Sequence, residues 1–129
     1  MKIEVIKHKI LQLDKDKKIK FIILFGSHDK NERTPLSDID IAVFYDGPSK
    51  KRFSFRIKAS GNLPKKVDVQ IFQDLPLYIQ KEVLKGKVLY SQDFQFTFDQ
   101  FMKVIREFGS FEKYYREYIF NLQEEAGIA

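Results

Sequence analysis

Three short apolar runs, at residues 20–25, 38–45 and 66–72, set the limits on what this chain can fold into, because two of them carry acids at alternate positions. Phe21-Ile22-Ile23-Leu24-Phe25 is continuously apolar, has the length of a strand and breaks at Gly26-Ser27, so it reads as a buried strand. In Asp38-Ile39-Asp40-Ile41-Ala42-Val43, successive side chains of a strand alternate in direction. Asp38 and Asp40 then share one face, and Ile39, Ile41 and Val43 share the other. Asp68 is placed in the same way inside Val67-Asp68-Val69-Gln70-Ile71. Carboxylates held side by side repel each other, and a divalent cation between them is the simplest relief.

The remaining segments supply helices around these runs. Ile3, Ile6, Ile10 and Leu13 have the spacing of an amphipathic helix that closes near the charged stretch Asp14 to Lys18. Ser27 stands where a short helix could begin and aim free amides over the strand end. Residues 31–37, with Pro35, read as a loop. Asp46-Gly47-Pro48-Ser49 reads as a turn, followed by a basic helical segment ending at Ser60-Gly61-Asn62-Leu63-Pro64. A helix is expected from Pro76 to about Lys85, stopped by Gly86, then a short strand at 87–90. From about 94 to 124 the pattern is helical, with Gly109-Ser110 as a place for it to break. The fold class expected is α+β, a mixed sheet of three or four strands packed by helices. One domain over 1–129 is expected, with its sheet core at about 20–90 and a C-terminal helical segment at about 94–124.

Composition narrows the function. Thirteen phenylalanines supply ample core material, and the absence of cysteine excludes disulfides, thiolate-bound zinc and thiol nucleophiles. Metal binding is left to carboxylates and two histidines. The N-terminal residues lack the apolar segment of a signal peptide and no run is long enough to span a bilayer, so a cytoplasmic location is expected. The net charge of +5 favours an anionic partner. Lysines concentrate at Lys15 to Lys20 and Lys50 to Lys58, which read as solvated faces with some local help in attracting phosphate. Without the aromatic interleaving of an RNA-recognition sheet, direct nucleic-acid binding is not expected.

The acids and the glycine-serine corner support one chemistry together. A phosphate approaches the backbone closely where no side chain intrudes, as at Gly26, and the Ser27 hydroxyl with neighbouring amides can hold its oxygens. Asp38, Asp40 and Asp68 are oxygen ligands of the kind magnesium or manganese takes, alongside substrate phosphates. Two such ions suit phosphoryl transfer in which one binds the triphosphate and the other activates an attacking hydroxyl. Asp68 stands as ligand and proton acceptor beside that hydroxyl.

Gly26-Ser27, an insert, Ser37-Asp38-Ile39-Asp40 and a later Asp68 within an apolar strand resemble the signature of the polymerase-β-like nucleotidyltransferases. More narrowly they resemble the minimal nucleotidyltransferases, antitoxin partners of HEPN-domain ribonucleases. The likeness extends over nearly the whole chain, through Gly86-Lys87-Val88-Leu89-Tyr90 and the helix containing Phe111, Tyr114 and Tyr115. It implies the polymerase-β-like fold with a C-terminal helix, ATP as substrate with two magnesium ions (manganese as an alternative), and transfer of AMP to a tyrosine of a partner ribonuclease. Gly26 and Ser27 would be the phosphate-binding pair, with Lys30 or Arg33 as the basic residue of the loop. Asp38, Asp40 and Asp68 would be the catalytic and metal-binding carboxylates. Asn31 stands where the family usually has a second glycine, and asparagine is the side chain that best tolerates the left-handed backbone such a turn needs.

Plainer readings stand beside these. His28 and His8 read as surface histidines, and the Tyr114-Tyr115-Arg116-Glu117-Tyr118 cluster as core material at helical spacing. Two other functions remain open: neutralisation of a partner by occlusion without catalysis, and nucleotidyl transfer to a small molecule or RNA. Homo-oligomerisation is open as well.

Overall fold

The computed structural model describes residues 2–26 and 38–125; side chains at 111, 114, 115, 117–119 and 121–125 lie outside that description. Helix α1 (Ile3–Leu13) is followed by β1 (Ile19–Phe25), β2 (Ile39–Tyr45), α2 (Ser49–Gly61) and β3 (Val67–Ile71). A 3-10 turn (Phe72–Asp74), α3 (Leu77–Leu84), β4 (Lys87–Ser91) and the long α4 (Phe94–Glu125) complete the order. The strands form one sheet in the order β3-β2-β1-β4. β1 runs antiparallel to both β2 and β4, whereas β3 lies parallel to β2 because α2 carries the chain back between them. The fold is thus α+β with a mixed four-stranded sheet and a C-terminal helix.

Parity along the strands explains the two cores. On one face Ile22, Leu24, Ile41, Val43, Val69 and Ile71 pack against Ile6 and Ile10 of α1 and Phe55 and Ala59 of α2. On the other, Phe21, Ile23 and Ala42 meet Phe72, Val83 of α3 and Val104 of α4. β1 is covered on both faces, which is why its sequence is apolar without alternation. β3 is covered on one face only, so Val67, Val69 and Ile71 are buried while Asp68 is exposed and Gln70 half-buried.

Two local features differ from the sequence expectation, and a third, Gly86, stands where expected for an added reason. Asp14, expected in a charged solvated stretch, is buried, and its carboxylate accepts the amides of Lys18 (2.9 Å) and Ile19 (2.8 Å). It ties down the turn into β1, where Lys17 takes a left-handed φ of 56°. Gly109-Ser110 does not break α4, which is helical throughout; Ser110 Oγ donates to the carbonyl of Arg106. A lone glycine costs a helix only about 1 kcal/mol, too little to end one this long. Gly86 does follow α3, but its role is close approach: a Cβ there would lie 2.1 Å from the Leu24 carbonyl oxygen of β1. Gly86→Ala is expected to force the α3–β4 corner off the sheet and cost about 1–3 kcal/mol, read from the midpoint of denaturant unfolding.

Among the described residues no helix is long and apolar enough to cross a membrane.

Candidate active site

The acids are positioned by strand register. Asp40 in β2 is directly opposite Asp68 in β3 and, on its other side, opposite Phe25 at the end of β1. Parallel neighbours at one register project to the same face, and adjacent strands are about 4.8 Å apart, so the two carboxylates are side by side. That face is the one bearing Ala42 and Phe44, toward α3 and α4. Asp40 is half-buried and Asp68 exposed, at the margin where the helical layer no longer covers the sheet.

Gly26 closes the third side. Its φ is +79°, and a Cβ built there would lie 2.6 Å from Asp40 Oδ2. The sequence supplies one reason for a glycine here, access for a phosphate, and the structure adds another: the carboxylate of Asp40 occupies the space a side chain would need. Gly26→Ala is expected to cost about 1–2 kcal/mol through the left-handed backbone. By re-aiming Asp40 it should also lower transfer roughly tenfold to a hundredfold, read as kcat at saturating nucleotide.

Asp38 is exposed and immediately precedes β2, which begins at Ile39 rather than 38. Strand alternation therefore fixes Asp40 and Asp68 but does not extend to Asp38. Among the described residues no group of three or more carboxylates and imidazoles is close enough to hold a metal ion on its own. The paired carboxylates Asp40 and Asp68 nevertheless have the donor chemistry of magnesium, which is bound through one or two carboxylates plus substrate phosphates rather than by an all-protein cage. Ser27, His28, Lys30, Asn31 and Arg33 lie outside the described residues. His8 is exposed on α1, as expected. Of Tyr114, Tyr115 and Tyr118, only the backbone in α4 is described.

One neighbour escaped the sequence reading. Gln70, two residues along β3 and hence on the same face, donates from Nε2 to Asp68 Oδ1 at 2.9 Å. The Asp68-x-Gln70 spacing was the available signal.

Residues 7–95, more than half of the chain, match the family described as "Polymerase beta, Nucleotidyltransferase". The chain belongs to the polymerase-β nucleotidyltransferase family. That span of the nucleotidyltransferase takes in all four strands and with them Gly26, Asp38, Asp40 and Asp68. A relative from Methanocaldococcus jannaschii, named "Putative protein adenylyltransferase MJ1547", is 37% identical over 105 residues, covering 81% of each chain. Among solved structures, a toxin-antitoxin crystallised with AMP-PNP superposes with a TM-score of 0.71 at 24% identity, over 91% of this nucleotidyltransferase and 98% of that chain. A tri-AMPylated Shewanella oneidensis HEPN toxin in complex with MNT antitoxin gives 0.67 at 23% identity, over 93% and 98%. At these identities the structural likeness is one of fold.

Proposed function

We propose that this nucleotidyltransferase moves AMP from ATP to a tyrosine hydroxyl of a HEPN-type ribonuclease and thereby acts as its antitoxin in the cytoplasm. The observation that carries the proposal is the pairing of Asp40 with Asp68 at one register, beside a left-handed Gly26 whose missing side chain leaves room for a carboxylate. The relative named for protein adenylyl transfer and the AMPylated toxin in a fold-related complex support the choice of donor and acceptor.

In this reading 1–129 works as one domain. The Gly26-Ser27 corner, with Lys30 or Arg33, holds the triphosphate. Asp38, Asp40 and Asp68 would hold magnesium, which would neutralise phosphate charge and make the acceptor hydroxyl more acidic. The tyrosine oxygen attacks the α-phosphorus in line. The bond to the β-phosphate oxygen breaks, pyrophosphate leaves, and the hydroxyl proton passes to Asp68, kept in orientation by Gln70.

Mass spectrometry of the ribonuclease after incubation with this chain, ATP and magnesium tests the proposal. The expected result is an added AMP on a tyrosine, lost with Asp40→Asn. Full neutralisation of the ribonuclease with no covalent AMP would replace catalysis with occlusion.

A further inference from the structure

The two lysine-rich segments, about forty residues apart in the sequence, meet in space. The turn after α1 and the side of α2 that carries Lys51, Phe55 and Lys58 meet around Tyr45, and Lys58 Nζ ties them by donating to the Leu13 carbonyl at 3.2 Å. Two adjoining recesses result, of about 270 and 310 Å³, both lined by Tyr45, Lys51 and Asp16. Lys15 and Lys58 line the first, Lys18 and Asp46 the second. We infer that this place is a second anion site, separate from the acid pair, that takes a phosphate group carried by a small molecule.

Three observations point the same way. Tyr45 is only 8% exposed, and its ring is fixed by stacking on Phe55 (4.8 Å between centroids) and by Gly47, yet among the described residues its hydroxyl has no hydrogen-bond partner. The side chain lines both recesses, so a donor hydroxyl with no protein partner is available there to a bound acceptor. Burial, aided by the charges of Asp14 and Asp16, raises the phenol above its ordinary range, so the hydroxyl stays a donor, and an anion binds there only where the lysines outweigh those two carboxylates. Secondly, among the described residues Lys15, Lys18 and Lys51 form no ion pair, and the lining lysines outnumber the lining acids Asp16 and Asp46. The carboxylate of Asp14 is already engaged by two amides. Thirdly, the second recess reaches the start of α2. Pro48 offers that helix no side-chain cap, and the first helical bond comes from Arg52, so the amides of Ser49, Lys50 and Lys51 have no intrahelical acceptor.

The site is independent of the transfer chemistry. Tyr45 and Asp40 occupy opposite ends of β2, which at about 3.3 Å per residue separates them by roughly 16 Å.

The test uses the full chain in EDTA, which withholds divalent ions from the acid pair. Inorganic pyrophosphate and AMP are titrated separately while backbone amide shifts are followed by NMR. The expected result is saturable shifts at Tyr45, Gly47 and Ser49 to Lys51. Lys51→Gln should weaken binding roughly tenfold and Tyr45→Phe roughly threefold or more, with Asp40→Asn leaving it unchanged. Tighter binding of AMP identifies a nucleotide as the source of the phosphate, and tighter binding of pyrophosphate a polyphosphate; either supports the site. Absence of saturable shifts with both probes, shifts confined to the Gly26 and Asp68 end, or binding indifferent to both substitutions would overturn it and leave the Tyr45 hydroxyl to solvent.

Discussion

Asp40→Asn is expected to lower nucleotidyl transfer roughly 10³-fold while leaving the melting temperature within about 2 °C of the parent. Asparagine has almost the volume of aspartate, so the strand, its pairing with Phe25 and the fit against Gly26 survive, and only the charge and one oxygen acceptor are removed. Asp40 and Asp68 are paired, so removal of one charge also relieves repulsion on the other, which offsets part of any lost contact. Single-turnover rates with ATP and magnesium, beside a thermal melt of the same preparation, check the prediction. A variant that loses activity because it unfolds would make Asp40 a structural residue instead.

Phe21→Ala is expected to cost about 3–5 kcal/mol. Phe21 is fully buried at the centre of the second core, with ring centroids 5.3 Å from Phe44, 5.2 Å from Phe72 and 5.8 Å from Phe101. Truncation removes these ring contacts together and leaves a cavity that β1, hydrogen-bonded on both sides, cannot close. Domains are stable by about 5–15 kcal/mol, so the variant should be close to unfolding at 37 °C. Because Phe21 shares a strand and a face with Phe25, which opposes Asp40, activity should be lost along with the fold. Urea unfolding of the variant checks the size of the effect.

What could be read from the sequence, and what could not, follows from the range of the forces involved. The apolar run of β1 was legible because both of its faces are buried. β2 and β3 were legible because an alternating strand with one acid-bearing face has few other uses. The choice of Asp40 and Asp68 as neighbours needed the parallel register, and that depends on where α2 returns the chain and on how the end of β2 is held. There the Gln73 carboxamide accepts the amide of Tyr45 and donates to its carbonyl, a contact between residues 28 positions apart. Asp14 was read as one charge among several because its burial depends on a left-handed turn at Lys17, a position with no glycine to announce it. Gly86 was read correctly as a boundary, but its cause, the carbonyl of Leu24 on a different element, is a tertiary contact. The convergence of the two lysine runs on Tyr45 was invisible for the same reason.

As proposed, Asp40 and Asp68 act together in seating metal-bound nucleotide. Calorimetry of ATP binding with and without magnesium, on the parent chain and on Asp40→Asn and Asp68→Asn, separates the outcomes. Magnesium should tighten ATP binding to the parent, and each substitution alone should abolish that increment. Equal affinity for ATP in EDTA and in magnesium, or an increment that persists when Asp68 is asparagine, would contradict the claim.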